Sequence, residues 1–392
     1  MSAPALKRRL GFGLLTLYGV GVMVGAGIYV LIGAVAGEAG GWAPLAFIIA
    51  GVIAAPTALS YAELSARIPQ SAGEAAYILK AGGPPVAAAG LGLIVALIGT
   101  ISSAAVLNGG VGYLQGLVDL PGPVLVALLG GALGAVAIWG VVESLAFAAI
   151  LTLIEVIGLV IVVGAGASVE VPAVSVSPEA LAPALGAGAL LAFFAFIGFE
   201  DMVNMAEETK DPGRTMPRAI VAALAITTLL YVAVVWAALR AAPADTLAAS
   251  PRPLAEAYEA ATGGSAGFLS LIAVSAALNG VLAQIVMAAR VLYGLGRFSP
   301  TFGVFHRAHP RFGTPVLATA LAAGLAIALA LAAPVGTLAE ATSTLLLIVF
   351  IVINGALIAL RRRGGDSPFR APGFAPWLGV ALSSAALIGS FL

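Results

Sequence analysis

Three acidic residues lie inside long apolar stretches of this chain, and they are the side chains best suited to do chemistry. Glu155 has only apolar and small neighbours, while Glu200 and Asp201 are adjacent in another apolar stretch. An acid at membrane depth is costly and usually marks proton, cation or substrate binding. The alternative is a neutral acid that hydrogen-bonds one helix to another. Because adjacent helical residues point about 100° apart, only one of the pair is expected to face a cavity, and the other could bond Asn204 or Asn279.

Glycines interrupt two of the apolar segments. The first segment has glycines at positions 19, 21, 25 and 27, and the sixth has Gly198 beside the two acids. Each glycine costs a helix interior about 1 kcal/mol relative to alanine, and non-helical backbone within a bilayer needs protein or a water-filled cavity around it. Close helix packing is the alternative use of small residues. Interrupted segments at corresponding positions of two halves indicate a transporter binding site.

The composition places most of the chain in a lipid bilayer. Hydrophobic residues make up 61% of its 392 residues and charged residues 9%, whereas a soluble domain has about 25% charged residues. The 18 basic and 18 acidic residues cancel, so no basic face is available for nucleic acid. There is no cysteine, and the two histidines, His306 and His309, lie in a predicted loop. Neither a disulfide framework nor a metal site is therefore expected.

Eleven stretches are long enough to span a bilayer, which takes about 20 apolar residues. They are residues 10–36, 42–64, 83–113, 122–140, 144–168, 182–207, 217–241, 267–296, 314–334, 339–361 and 374–392. With the N-terminus in the cytoplasm, all but two of the 18 basic residues, Arg240 and Arg252, fall on the cytoplasmic side. This positive-inside bias predicts a multi-pass protein of a prokaryotic inner membrane with a cytoplasmic N-terminus.

The interrupted first and sixth segments are five helices apart, which predicts two repeats. Residues 10–168 and 182–361 would form a five-plus-five inverted repeat, with residues 374–392 as an extra helix. No soluble module is apparent between the segments. We therefore expect an all-α polytopic membrane protein in which residues 1–392 form one transmembrane domain.

Seven short motifs carry a resemblance to a known family. They are GAGIY (25–29), YAEL (61–64), IPQSAGEAAY (68–77), FFAFIGFE (193–200), AEETKDP (206–212), AARVLYG (288–294) and FRAPGF (369–374). In this order and spacing the chain resembles the amino acid–polyamine–organocation superfamily, which includes bacterial relatives of cationic and neutral amino acid transporters. The resemblance implies the five-plus-five fold and alternating access around a central site. Members usually have twelve helices, and this sequence ends within its eleventh segment.

The resemblance also implies an amino acid substrate held between the two helix breaks. The N–H groups at the start of a half-helix suit a carboxylate, and unwound carbonyl groups suit an ammonium group. The carboxylate is assigned to the backbone around Gly25, Ala26 and Gly27. The ammonium group is assigned to the carbonyls around Met23, Phe194, Ala195 and Ile197.

Four side chains are further candidates for the substrate cavity. Phe194 matches a position that often carries an aromatic gate in the family, and Phe199 lies near the same break; lipid-facing or core packing is the alternative for both. Ser275 and Asn279 share one face of the eighth segment. They are second-rank candidates because polar residues in membrane helices often only bond a neighbouring helix.

The coupling residues are expected among the buried acids. Glu155 stands where similar permeases carry a lysine that reaches toward the break in helix 1, so it could carry a proton, bind a cation or hold a basic group of the substrate. Glu200 matches a position that takes part in pH sensing or coupling in some exchangers. With Asp201 they form the predicted coupling set, with H+ as the expected ion. The acids near the cytoplasmic ends are expected to form salt bridges at gates or loops; they are Glu63, Glu74, Glu207 and Glu208.

Other classes of function fit the sequence poorly. No Ser/His pair, paired aspartates or metal-binding histidines indicate an intramembrane protease, no repeated polar ring indicates a channel, and no phosphate-binding loop indicates an ATP-driven pump. We therefore expect no enzyme activity and no cofactor. The sequence favours a secondary active transporter of amino acids, proton-coupled or exchanging. The alternative is an amine or polyamine transporter that uses the buried acids as cation partners.

Overall fold

The computed structural model describes residues 8–69, 73–140, 145–169, 181–298 and 300–390. Within these ranges the secondary structure is helical. The α-helices are α1 Phe12–Ala26, α2 Ile28–Ala39, α3 Ala43–Arg67, α4 Gly73–Lys80, α5 Pro85–Gln115, α6 Gly122–Trp139, α7 Leu145–Ala167, α8 Leu181–Phe194, α9 Pro212–Ala241, α10 Ala244–Ala249, α11 Pro253–Thr262, α12 Gly267–Phe298, α13 Val316–Ala332, α14 Val335–Arg362 and α15 Ala375–Gly389. The 3-10 helices are Gly40–Trp42, Asp201–Glu208 and Pro300–Phe305.

Many of these helices can cross a bilayer by length and composition. In the described part of the chain, seven stretches of 18 to 40 residues are apolar enough, and the longest, Ile28–Arg67, joins α2 to α3. Four shorter apolar helices are Phe12–Gly25, Ala184–Phe194, Val316–Ala332 and Ala375–Gly389. The predicted class, an all-α polytopic membrane protein, is confirmed.

The long helices pack in pairs that bring the two halves together. The most extensive contacts join α5 to α12 and α3 to α9. Glycines of α5 make the first pair close, because a Cβ at Gly99 would approach the Gln284 carbonyl at 3.1 Å and one at Gly110 would approach Ala277 at 2.7 Å. The second predicted segment thus packs on the seventh, and the third on the eighth.

The first predicted segment is interrupted at a single residue. Helix α1 runs through Ala26 and α2 begins at Ile28, with Gly27 between them at φ −120° and ψ −58°. The interruption therefore lies at the last of the four glycines of this segment. Gly19 and Gly21 are helical and serve packing, since a Cβ at either would overlap Met202 or Thr152.

The sixth predicted segment is interrupted over several residues. Helix α8 ends at Phe194, residues 195–200 form turns, and a 3-10 helix follows from Asp201. Gly198 has φ +123°, a conformation that only glycine adopts readily. The predicted break is present, but the segment continues as a 3-10 helix where an α-helix was expected.

Candidate functional site

The two helix breaks meet inside the bundle. A Cβ on Gly27 would overlap the backbone of Ala195, and one on Gly198 would lie 2.5 Å from Val22. No side chain caps the N-terminus of α2, and α8 ends at the same junction. The positive end of the α2 dipole and the negative end of the α8 dipole therefore lie close together. Such a junction offers complementary partial charges to a zwitterion.

Two of the carbonyl groups predicted to bind an ammonium group already accept a hydrogen bond. The Ile197 N–H donates to the Phe194 carbonyl at 3.1 Å, and the Tyr231 hydroxyl donates to the Ala195 carbonyl at 2.9 Å. A carbonyl oxygen has two lone pairs, so each retains one acceptor position. Tyr231 is absent from the predicted site; its signal is a tyrosine in the middle of an apolar segment, where the buried hydroxyl needs a partner.

Glu155 lies on α7 against the end of α1. Its carboxylate oxygens are 3.6 and 3.9 Å from the position that a Cβ of Gly25 would take, and the Ala276 carbonyl of α12 is 3.4 Å from the same point. The side chain is 1% exposed. Its backbone carbonyl accepts a 2.7 Å hydrogen bond from the Tyr29 hydroxyl of α2. The acid thus lies where α1, α7 and α12 meet, one turn from the helix break.

The adjacent acids of the sixth segment have different partners. Glu200 is buried and accepts a 3.0 Å hydrogen bond from the Gly198 N–H. Asp201 accepts a 3.3 Å hydrogen bond from the Gln284 side chain of α12. The two carboxyl groups diverge, as their adjacency in the chain predicts. Gln284, which lies one to two turns after Asn279 on α12, was not among the partners expected for this pair of acids.

The aromatic candidates are core residues in this conformation. Phe194 and Phe199 are both 0% exposed, so neither faces lipid. The Phe199 ring packs edge-on against Tyr61 at 6.0 Å and lies 5.4 Å from Phe350. An aromatic cluster of three different segments therefore closes the site on the side of Phe199.

Ser275 and Asn279 are half-buried on α12, near the helix break. Ala276, between them, places its carbonyl beside Gly25. Asn279 lies one turn after Ala276 and so shares its side of the helix. The structure therefore brings this stretch of α12 near the first break but leaves both side chains at the edge of the buried junction.

Buried charges lie at the end of the bundle where α1 begins, which we call the N-terminal face. The Glu63 carboxylate pairs with Arg361 and, at 2.7 Å, with Arg67, and it accepts the Ala371 N–H at 2.8 Å. The predicted salt bridge at Glu63 is confirmed. The same prediction is wrong for Glu74, because its carboxylate accepts a 3.1 Å hydrogen bond from the Tyr61 hydroxyl and forms no ion pair within the described residues.

A cavity of about 540 Å³ opens at the opposite face. Its lining includes Val30 of α2, Asn108 of α5, Pro251 between α10 and α11, and Ala330 of α13. Asn108 donates to the Ala330 carbonyl at 2.8 Å, which satisfies the end of α13. None of the predicted substrate-binding residues lines this cavity, so the helix breaks are closed from it in this conformation.

Comparisons with known proteins show the family of this chain. The amino acid permease family model matches residues 10–392. The branched-chain amino acid permease BcaP of Bacillus subtilis is 29% identical over 96% of this chain and 86% of its own length. The methylthioribose transporter of the same species is 31% identical over 94% and 85%, and human cationic amino acid transporter 4 is 31% identical over 94% and 62%. The chain belongs to the amino acid permease family of the amino acid–polyamine–organocation superfamily and is a multi-pass membrane protein.

Proposed function

We propose that the protein is a secondary active transporter of amino acids that works by alternating access. The meeting of the two helix breaks at Gly27 and Ala195 carries this proposal. The uncapped N-terminus of α2 would receive the substrate carboxylate, and the chain ends of α1 and α8 would receive its ammonium group. Binding there needs the junction to open slightly, since its residues are buried in the present conformation.

The architecture supports a five-plus-five inverted repeat. Packing of α3 on α9 and of α5 on α12 pairs each helix with the one five segments later. Helix α15 has no such partner five segments away and packs on α14 and α3. Alternating access would then move the helices that carry the breaks relative to α5 and α12.

The charge distribution supports a cytoplasmic N-terminus in a prokaryotic inner membrane. Arg67 and Arg361 lie at the N-terminal face, and the Arg252–Glu259 pair lies at the opposite face, near α11. Basic residues gather on the cytoplasmic side of multi-pass proteins. The cavity at the opposite face would then open to the outside.

The coupling ion that we propose is the proton, with Glu155 as its carrier at the substrate site. The carboxyl group is buried beside Gly25, so its ionisation changes the charge next to the first break. The same position favours a second candidate function, the transport of amines, because a carboxylate there could hold a cationic group. The relatives include proteins named for branched-chain and for cationic amino acids, so both substrate classes merit testing.

Uptake by proteoliposomes that contain the purified chain tests the proposal. A panel of labelled neutral amino acids, cationic amino acids and amines is offered with and without an inward pH gradient. We expect saturable uptake of an amino acid, stimulated by the gradient or by amino acid inside the vesicles. Competition by an amine that lacks a carboxylate, where alanine fails to compete, would favour the amine transporter instead.

A further inference from the structure

The side-chain contact between Asp201 and Gln284 joins the sixth segment to α12. Asp201 begins the 3-10 helix after the second break, and Gln284 lies on α12, which packs on α5. The Gln284 amide N–H donates to one carboxylate oxygen of Asp201 at 3.3 Å. Gln284 is 1% exposed and Asp201 is half-buried, so the amide lies away from bulk water while the acid stays within its reach.

The carbonyl oxygen of the Gln284 amide is the second feature of this contact. Its carbonyl oxygen is buried and has no hydrogen-bond partner within the described residues. It lies against α5 at Gly99, where a Cβ would come within 3.2 Å of it. Leaving a buried acceptor unsatisfied costs about 1–3 kcal/mol. Glutamine can bond a carboxylate with its N–H alone, so an ionised Asp201 does not use this oxygen.

A protonated Asp201 would satisfy the Gln284 carbonyl oxygen. A carboxylic acid has one O–H donor and one carbonyl acceptor, the complement of a primary amide. We propose that Asp201 takes a proton from the N-terminal face, forming an O–H bond on its second oxygen, and pairs with Gln284 through two hydrogen bonds. Glu200 has no such partner, since its bond is to the backbone N–H of Gly198.

The surroundings of Asp201 favour the proton. Helix α4, which carries Glu74, contacts the 3-10 helix that Asp201 begins, and Glu200 is adjacent to Asp201 in the chain. None of the three acids is in an ion pair within the described residues. Carboxylates that lie near each other and are partly removed from water disfavour each other's ionised form, which favours a proton on one of them. Burial raises the pKa of Glu74 itself, while the Tyr61 hydrogen bond opposes that rise.

Other titratable groups around Asp201 do not neutralise it. Helix α1 contributes no acidic or basic residue. The arginines at the start of α9, Arg214 and Arg218, are exposed, and so is Arg290 of α12. Within the described residues, the titratable and charged side chains on its own and neighbouring elements are Tyr18 of α1, Tyr61, Glu63 and Arg67 of α3, Glu74, Tyr77 and Lys80 of α4, Glu200, Glu207 and Glu208 around the 3-10 helix, Arg214, Arg218, Tyr231 and Arg240 of α9, and Arg290 and Tyr293 of α12.

The proposed pairing makes the contact between the sixth segment and α12 depend on pH. The protonated acid adds a hydrogen bond between the sixth segment and α12, so this closure is strongest at low pH and weakens as rising pH removes the proton. Separation of the two segments would expose Asp201 to water and release its proton. The effect on transport rests on the alternating-access cycle proposed above, whereas the proton pairing itself does not.

Infrared titration of the full-length chain in detergent tests the pairing without any substrate. We expect the wild-type protein to show a protonated-carboxyl C=O band that disappears as pH rises, and Asp201→Asn to lack that component. Glu74→Gln should move its midpoint to lower pH by about one unit, because removing a nearby negative charge weakens proton binding. Two exposed acids serve as controls, and neither Glu340→Gln nor Asp245→Asn should change the band.

Three results would overturn the pairing. The band could persist unchanged in Asp201→Asn, its midpoint could stay fixed in Glu74→Gln, or Na+ at constant pH could displace it while H+ did not. If Asp201→Asn fails to fold, Gln284→Met removes the proposed partner, and an unchanged band and midpoint in that variant would also overturn the pairing. If the wild-type chain transports no amino acid, the proposed function is wrong. The infrared titration still tests the pairing of Asp201 with Gln284, because it needs no substrate.

Discussion

The Tyr29 hydroxyl donates a 2.7 Å hydrogen bond to the backbone carbonyl of Glu155. The backbone carbonyl of Tyr29 in turn accepts a 2.9 Å hydrogen bond from the Tyr113 hydroxyl, which accepts the Leu254 N–H at 3.2 Å. These three bonds connect α11, α5, α2 and α7 in series. Helix α11, at the face opposite the N-terminal face, is thereby connected to α7, which carries Glu155.

Removal of the Tyr113 hydroxyl should loosen that face. Tyr113→Phe keeps the edge contact with the Tyr29 ring but loses two hydrogen bonds, each worth about 1 kcal/mol. Because the chain has no cysteine, Ile28→Cys supplies a single thiol beside the first break, where the native side chain is 0% exposed. We expect its labelling by a membrane-impermeant maleimide to accelerate about fivefold or more in Tyr113→Phe.

A tyrosine on α11, the helix that Tyr113 bonds, provides the control for this measurement. Tyr258 packs its ring on Phe268, and Tyr258→Phe preserves that contact. The labelling rate should be the same as in the parent protein. Equal rates for Tyr113→Phe and Tyr258→Phe would mean that the bonds from Tyr113 do not hold the face closed.

Glu155→Gln should separate proton coupling from substrate binding. The amide keeps the size of the side chain beside Gly25 but cannot lose or gain a proton at neutral pH. We expect uptake driven by a pH gradient to be abolished while substrate still protects the protein against thermal unfolding. The matched exposed variant Glu340→Gln should transport normally, and unchanged pH-driven uptake by Glu155→Gln would exclude the acid as proton carrier.

Gly27→Ala should impair transport through overpacking at the junction of the breaks. The new methyl group would overlap Ala195, and such overpacking costs about 1–3 kcal/mol. We expect initial uptake rates at least about tenfold lower at equal protein per vesicle. Gly186→Ala on α8, where a Cβ meets no atom within 4 Å, is the control; equal rates for the two variants would show that close contact of the breaks is not required.

Loss of the Glu63 carboxylate should destabilise the N-terminal face strongly. Glu63 is 0% exposed and has two arginine partners, and removing one partner of a buried pair costs about 3–5 kcal/mol. We expect Glu63→Gln to lower the unfolding temperature in detergent by several degrees. Glu259→Gln, which breaks the more exposed pair with Arg252, should cost about 1 kcal/mol or less; similar losses for both would contradict the ranking by burial.

Much of the site's outline is local and could be predicted. The two breaks follow from Gly27 and Gly198, whose conformational cost is visible in the sequence. The burial of Glu155 and Glu200 follows from the apolar residues around them. The position of the first break within its segment was not determined by the glycines alone, because Gly19, Gly21 and Gly25 all lie within α1.

The chain by itself determined the membrane class, the family and the positions of the breaks, because composition, apolar run length and glycine spacing are properties of neighbouring residues. Only the tertiary structure decided that Asp201 meets Gln284, that Tyr231 bonds the Ala195 carbonyl, and that Glu74 bonds Tyr61 and not an arginine. Each of these contacts joins different helices. Its existence depends on how those helices are rotated and how closely they pack, which no local pattern specifies.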